Sequence, residues 1–311
     1  MIILTRKQFF IFQLMVFCSI SVNVLPKMYS DNKKMEMTGQ FWMLRLADDI
    51  SLSDLNIPGT HNSAARYEPF PQTAKCQSLS LMAQLQAGVR FFDIRCHHKK
   101  DLFFIFHGPI NQRLSFDQVL AHMISFLIQN NQETLIMSIK EEHVPKQTTR
   151  PFTETLHSYI NQNATYWYTK QKIPNLGIVR GKIILLRRFF SSNPIGIPAT
   201  DWQHDGFHQT TNLFIQDQFE IPNASVKWET VETALEYSIQ DKSPSRLHLH
   251  FASGYIKNRL GIPNITKLSS QINQNLARYL SSTSQHRYGC LIFDFITSDL
   301  AKQVYELNFY K

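Results

Sequence analysis

Short apolar runs alternate with longer amphipathic stretches along residues 40–311. Compact runs rich in Ile, Leu, Val and Phe predict buried strands at 54–57, 89–94, 102–106, 134–139, 182–186, 213–216, 247–251 and 290–293. Apolar residues recurring every three to four positions predict helices at 115–129, 152–161, 228–240 and 267–280, and a last one at 298–307. Strands joined by such crossovers predict an α/β fold, a single (β/α)8 TIM barrel. The links from the second strand to the third and from the fifth to the sixth carry no helical pattern, so the barrel is expected to be distorted. An open doubly wound sheet fits less well, because no glycine-rich phosphate turn follows the first strand. No internal repeat, low-complexity segment or linker interrupts the pattern.

The N-terminus departs from this alternation. Arg6 and Lys7 precede a mostly apolar run from Phe9 to Leu25, interrupted by Gln13, with small residues at Ser19 and Ser21. That layout predicts a secretory signal peptide over residues 1–25, a lead-in over 26–45 and one barrel domain over 46–311. Secretion is therefore expected; an uncleaved N-terminal anchor is the alternative. No other run is long enough to span a bilayer. Cleavage would remove Cys18 and leave Cys76, Cys96 and Cys290, an odd set that excludes a disulfide scaffold but permits one bridge. Asn163, Asn223 and Asn264 begin N-x-S/T sequons, which matter only in a host that glycosylates.

Composition narrows the partners. Hydrophobic residues make up 43% of the chain and charged residues 18%, as in a globular protein with a sizeable core. The formal net charge of +8 suits an anionic partner. The basic residues are scattered in pairs such as Lys33-Lys34, Lys99-Lys100 and Arg187-Arg188, and no nucleic-acid-binding module is present. An anionic membrane surface or a phosphorylated substrate ranks above nucleic acid.

In a barrel, reactive groups gather at the C-terminal ends of the strands. His61 follows the first predicted strand, Asp93 and Arg95 end the second, and His107 ends the third. Lys140 and Glu142 end the fourth, Arg187 and Arg188 the fifth, Asp217 the sixth and Asp294 the last. Two imidazoles with a guanidinium between them can cleave a phosphodiester. One ring accepts a proton, the other donates one, and the guanidinium neutralises charge on the phosphate. Other histidines have plainer roles: His97 and His98 read as packing or surface residues. His248 and His250 share a strand face that could ligate a metal, but no matching carboxylates accompany them.

The motifs "IPGTHNS", "GVRFFDIR", "FHGPI", "FLIQNNQETLIMSIKEE", "GKIILLRR", "IQDQF" and "LIFDF" occur in this order. The series resembles the bacterial phosphatidylinositol-specific phospholipase C family over roughly residues 50–300, most densely from 54 to 142. The resemblance implies a distorted TIM barrel that cleaves phosphatidylinositol to diacylglycerol and inositol 1,2-cyclic phosphate, with glycosyl-phosphatidylinositol anchors as a second candidate substrate. It implies no cofactor and no metal, because Arg95 stands where calcium-dependent relatives place an acid. By the same resemblance His61 is the general base, Asp294 orients it, Arg95 holds the phosphate with Asp93 fixing the guanidinium, and His107 is the general acid. Lys140, Arg188 and Asp217 match positions that bind inositol hydroxyls.

Two residues depart from the family pattern. Phe219 stands where a tyrosine usually stacks on the inositol ring. Asn62 replaces an aspartate that pairs with the acid histidine in the metal-free branch; asparagine is the choice of the calcium-dependent branch. An amide can hydrogen-bond an imidazole but brings no negative charge, so His107 is expected to hold its proton poorly at neutral pH. The expected partners are the lipid substrate and a transient anionic membrane surface, touched by Phe189, Phe190 and Trp202, with the protein a monomer. Two other functions compete: a metal-dependent glycerophosphodiesterase or sphingomyelinase D-type enzyme on the same barrel, and a non-catalytic inositol-lipid-binding homologue.

Overall fold

The structure, a computed structural model, describes residues 38–243, 245–283 and 286–309. The signal peptide expected over 1–25, with Cys18, and residues 26–37 of the lead-in lie outside them. In chain order the strands are β1 (Ile57–Thr60), β2 (Phe91–Lys99), β3 (Leu102–His107), β4 (Ile110–Ser115), β5 (Leu135–Glu141), β6 (Trp167–Tyr168) and β7 (Ile183–Arg188). They continue with β8 (Ile197–Pro198), β9 (Gly206–Gln209), β10 (Leu213–Asp217), β11 (Leu247–Phe251), β12 (Ile256–Lys257), β13 (Pro263–Asn264) and β14 (Cys290–Phe293). The helices are α1 (Leu81–Ala87), α2 (Phe116–Gln129), α3 (Phe152–Gln162), α4 (Leu176–Val179), α5 (Ala224–Gln240), α6 (Ile265–Ser282) and α7 (Ser298–Glu306).

The parallel strands follow the order β6-β7-β5-β2-β1-β14-β11-β10, and β9 adds an antiparallel edge to β10. No described pairing joins that edge to β6 or β7, so the sheet curls into a distorted TIM barrel left open on one side. Side-chain alternation decides which residues face the helices. Phe92, Ile94 and Cys96 of β2 join Leu135, Met137 and Ile139 of β5 in the core under the helices. Asp93 and Arg95, one residue out of phase, face the barrel interior, as do Lys140 and Arg188 on their own strands.

Three sequence expectations change. The strand expected at 54–57 begins three residues later, because Leu52–Asp54 is a 3-10 turn started by Ser51, whose Oγ accepts from Ser53 N. The run at 102–106 is a strand but not a barrel stave. Lys100 and Asp101 both have positive φ, and the tight turn they form sends β3 back antiparallel along β2. The remaining parallel strand is instead β6, whose two residues are too short to leave a pattern. Helix α1 also went unread; Ser80 caps it and Gly88 closes it at φ 110°.

Helix capping accounts for two of the sequons. Asn223 caps α5 by accepting from Val226 N, and Asn264 caps α6 by accepting from Lys267 N. At the opposite end of the barrel from the rim, buried Arg90 pairs with Glu133 at 2.7 Å and donates to the carbonyls of Gly39 and Gln40. With Trp42 donating to Gly88 O, this fastens the 3-10 segment Gly39–Arg45 to the barrel. None of the described helices is long and apolar enough to cross a membrane.

Candidate active site

Strand register assembles the site. Arg95 of β2 lies opposite Lys140 of β5, which lies opposite Arg188 of β7, so three cations stand abreast on neighbouring strands. His61 follows β1 and Asp294 follows β14, and these two strands pair in register from Ile57↔Cys290 to Thr60↔Phe293. His61 N donates to Phe293 O, which brings imidazole and carboxylate side by side. Nδ1 of His61 lies 2.8 Å from Oδ1 of buried Asp294. Its Nε2 faces two donors, Nη2 of Arg95 at 2.9 Å and Nδ2 of Asn62 at 3.2 Å. That pattern fits the tautomer with the proton on Nδ1, which leaves Nε2 as an acceptor. Gly254 N, at 3.3 Å, donates to the other oxygen of Asp294.

His107 arrives by another route. The β2–β3 hairpin carries it back to the rim, where its ring meets that of His61 edge-on at 6.2 Å between centroids. Its Nδ1 donates to Ala74 O at 2.7 Å. Burial pushes its imidazole down to about 4, and the charge of Arg95 adds to the effect. The ring is therefore neutral at pH 7, in line with the weak proton hold expected from sequence. The cause differs, because Asn62 contacts His61 instead.

Asp93 is the anion under the cationic row. It is buried and accepts from Asn62 N, from Nε of Arg95 at 3.3 Å and from Nη1 of Arg188 at 3.3 Å. Burial pushes its carboxyl up, but the charges of Arg95 and Arg188 prevail and hold it well below the usual range. Burial also lowers the affinity of Arg95 for its proton, yet Asp93, Glu142 and Asp217 outweigh it and keep the guanidinium charged. Glu142 lies 3.1 Å from the Lys140 ammonium and accepts from Gly108 N. Burial and then Arg95 lower Lys140, and Glu142 opposes them.

A cavity of about 470 Å³ opens onto these groups and is lined by His61, Arg95, His107, Lys140, Arg188, Asp217, Phe219 and Asp294. Of the rim residues read from sequence, Arg187 is turned away. Being out of phase with Arg188, it donates to the carbonyls of Ile195 and Phe189 and to Thr200. Trp202 also moves from its expected place. Its ring lies 3.4 Å under the Arg188 guanidinium and its Nε1 donates to Asp217, so it is a cavity wall and not a membrane contact. Phe189 is buried, and only Phe190 of that trio is exposed. Tyr255 and His204, both packed on Phe219, complete the wall; lying in irregular loops, they gave no signal in the sequence.

Cys76, Cys96 and Cys290 are free, buried thiols, so the bridge the sequence permits is not formed. His248 and His250 lie away from the cavity in the sheet, where His248 pairs with Asp241 at 2.9 Å.

The family profile described as phosphatidylinositol-specific phospholipase C, X domain, matches residues 50–189. A 1-phosphatidylinositol phosphodiesterase of Listeria monocytogenes is 31% identical over 287 residues, covering 88% of this chain and 87% of the relative. The solved phosphatidylinositol-specific phospholipase C of Listeria monocytogenes superposes with a TM-score of 0.71 at 28% identity, over 88% of this chain and 100% of that one. A Staphylococcus aureus phosphatidylinositol-specific phospholipase C, solved in connection with modulation of its membrane binding, gives a TM-score of 0.78 at 25% identity, over 88% and 98% of the two chains.

Proposed function

The chain belongs to the phosphatidylinositol-specific phospholipase C family, and we propose that it cleaves the phosphodiester of phosphatidylinositol without a metal ion. His61 Nε2 takes the proton of the inositol 2-hydroxyl as that oxygen attacks phosphorus. Asp294 holds the Nδ1 proton and favours the imidazolium that forms. Arg95 binds a non-bridging oxygen and neutralises the charge that builds there. His107 protonates the departing diacylglycerol oxygen, leaving inositol 1,2-cyclic phosphate. The entering phosphate offsets the Arg95 charge that depresses His107, so the substrate helps to load its own acid.

Lys140, Arg188 and Asp217 hydrogen-bond the inositol hydroxyls, and Phe219 offers its ring face. The observation that carries this reading is the contact chain Asp294–His61–Arg95, at 2.8 and 2.9 Å, with His107 facing it. A metal-dependent phosphodiesterase would want an acid where Arg95 stands. The test is cleavage of phosphatidylinositol vesicles with and without chelator, followed by the cyclic phosphate. Equal rates are expected in both, with a loss of about 10³-fold or more in His61→Ala and in His107→Ala while binding persists. Loss in chelator would overturn the metal-free scheme, unchanged rates in both variants would overturn His61 and His107 as base and acid, and absence of cleavage by the parent protein would favour a lipid-binding protein.

A further inference from the structure

Behind the two imidazoles lies a side chain that the cleavage scheme leaves idle. Cys76 is fully buried, and its Sγ lies 3.7 Å from Nδ1 of His107. One donor atom each from His61, Cys76 and Asp294 lie within 4.8 Å of one another, the one such grouping among the described residues. We propose that these three side chains form an inhibitory site for a zinc-type divalent cation, which catalysis does not need and which silences the base. The proposal rests on reading His61 as that base.

The donor set is the argument. Thiolate, imidazole and carboxylate together suit tetrahedral zinc, with a fourth position left for water. Calcium and magnesium prefer all-oxygen sets and gain little from the sulfur. Metal–donor lengths of about 2.0–2.3 Å place neighbouring ligands roughly 3.5 Å apart, so the longest separation in the trio must close by up to about 1.3 Å while the 2.8 Å His61–Asp294 pair opens by roughly 0.7 Å. The backbone already fixes the thiol: Cys76 N donates to Ala65 O, and Cys76 O accepts from Phe295 N at 2.7 Å.

The inhibitory effect follows from proton placement. Nδ1 of His61 now shares its hydrogen with Asp294 across 2.8 Å. A cation between them takes that hydrogen's place, and the single proton of the neutral ring resides on Nε2. The thiol proton leaves to solvent, so one proton is released per cation bound. Nε2 then carries a hydrogen, so it loses the contact it accepts from Arg95 and cannot take the proton of the inositol hydroxyl.

Two readouts test this on the full chain. Cadmium titrated into the metal-free protein should produce an ultraviolet thiolate-to-cadmium charge-transfer band at one equivalent. Cys76→Ser, which keeps Cys18, Cys96 and Cys290, should lose that band, and Cys76→Ala should lose it as well. In parallel, zinc should inhibit cleavage of phosphatidylinositol in phosphatidylcholine vesicles, each protein being scaled to its own rate in chelator. Half-inhibition in either variant should need at least about a hundredfold more zinc, beyond what an outer-shell partner contributes. Absence of the band from the parent protein, or equal zinc sensitivity in the variants, would overturn the site. A Cys76-dependent band without inhibition would overturn the inhibitory role and the reading of His61 as base, leaving cation binding intact.

Discussion

At Asn62 the backbone turns out of β1 with φ of 42°, a left-handed conformation that asparagine and aspartate adopt more readily than other side chains. The residue is therefore explained twice, by the turn and by the amide that reaches Nε2 of His61. An aspartate would keep the turn but place a buried negative charge beside Nε2 of His61, whose ring faces that of His107. A carboxylate beside an imidazole favours its charged form, so the proton affinities of both His61 and His107 should rise. The base limb and the acid limb of the rate profile then move the same way. Asn62→Asp should shift the whole bell of kcat/KM to higher pH by about one unit or more, and an unshifted profile would show that position 62 does not tune the pair. Asp93 and Arg95 were legible because a strand's period of two puts "D-x-R" on one face. Trp202 was not, since a loop tryptophan reads equally as membrane anchor or wall until Arg188 is seen lying on its ring.

Elements were legible wherever a run was long enough to show a period. Strands β5, β7, β10, β11 and β14 lie within a residue or two of their predicted places, whereas β6, with two residues, and the reversal of β3 left no such trace. Register, which sets Arg95, Lys140 and Arg188 abreast, is not written in any one strand. Strand β11 carries a further consequence. Burial, with neighbouring His248 adding to it, pushes His250 down to about 3 from its ordinary 6.5. Burial likewise takes His248 to about 4, against the pull of Asp241 and with Arg287 reinforcing it. Above pH 6.5 these rings are neutral whether the chain is folded or not, so their fit in the sheet is fully retained. As pH falls below that value the unfolded chain gains protons that the folded chain refuses, and stability declines until the buried rings themselves protonate. Urea midpoints should therefore drop between pH 7 and pH 5, each such histidine adding up to about 1.4 kcal/mol per pH unit. His250→Leu should flatten that slope; an equally steep decline in the variant would remove His250 as a source of it.

Over the whole molecule the two ends of the barrel divide the work. The end holding Arg90 and Glu133 fastens the segment Gly39–Arg45, and the rim holds the reactive groups. Around that rim the loops after β1, β5, β7 and β12 present Phe70, Val144, Phe190 and Leu260, each at least 70% exposed. They come from four separate connections that follow barrel strands, at the end where the cavity opens, and exposed Arg259 precedes Leu260. With a net charge of +8, this makes the rim the face suited to an anionic bilayer. Insertion is therefore expected through Phe190 and the loop bearing Leu260, with Trp202 held back against Arg188. A half-inserted side chain of this size contributes on the order of 1 kcal/mol, so Phe190→Ser combined with Leu260→Ser should weaken vesicle binding by about tenfold or more. Cleavage of a short-chain, monomeric phosphatidylinositol should be unchanged in the same variant, since neither residue lines the cavity. Loss of both activities together would mean that the loops shape the site itself, and retention of vesicle binding would send the search for the lipid contact to another face.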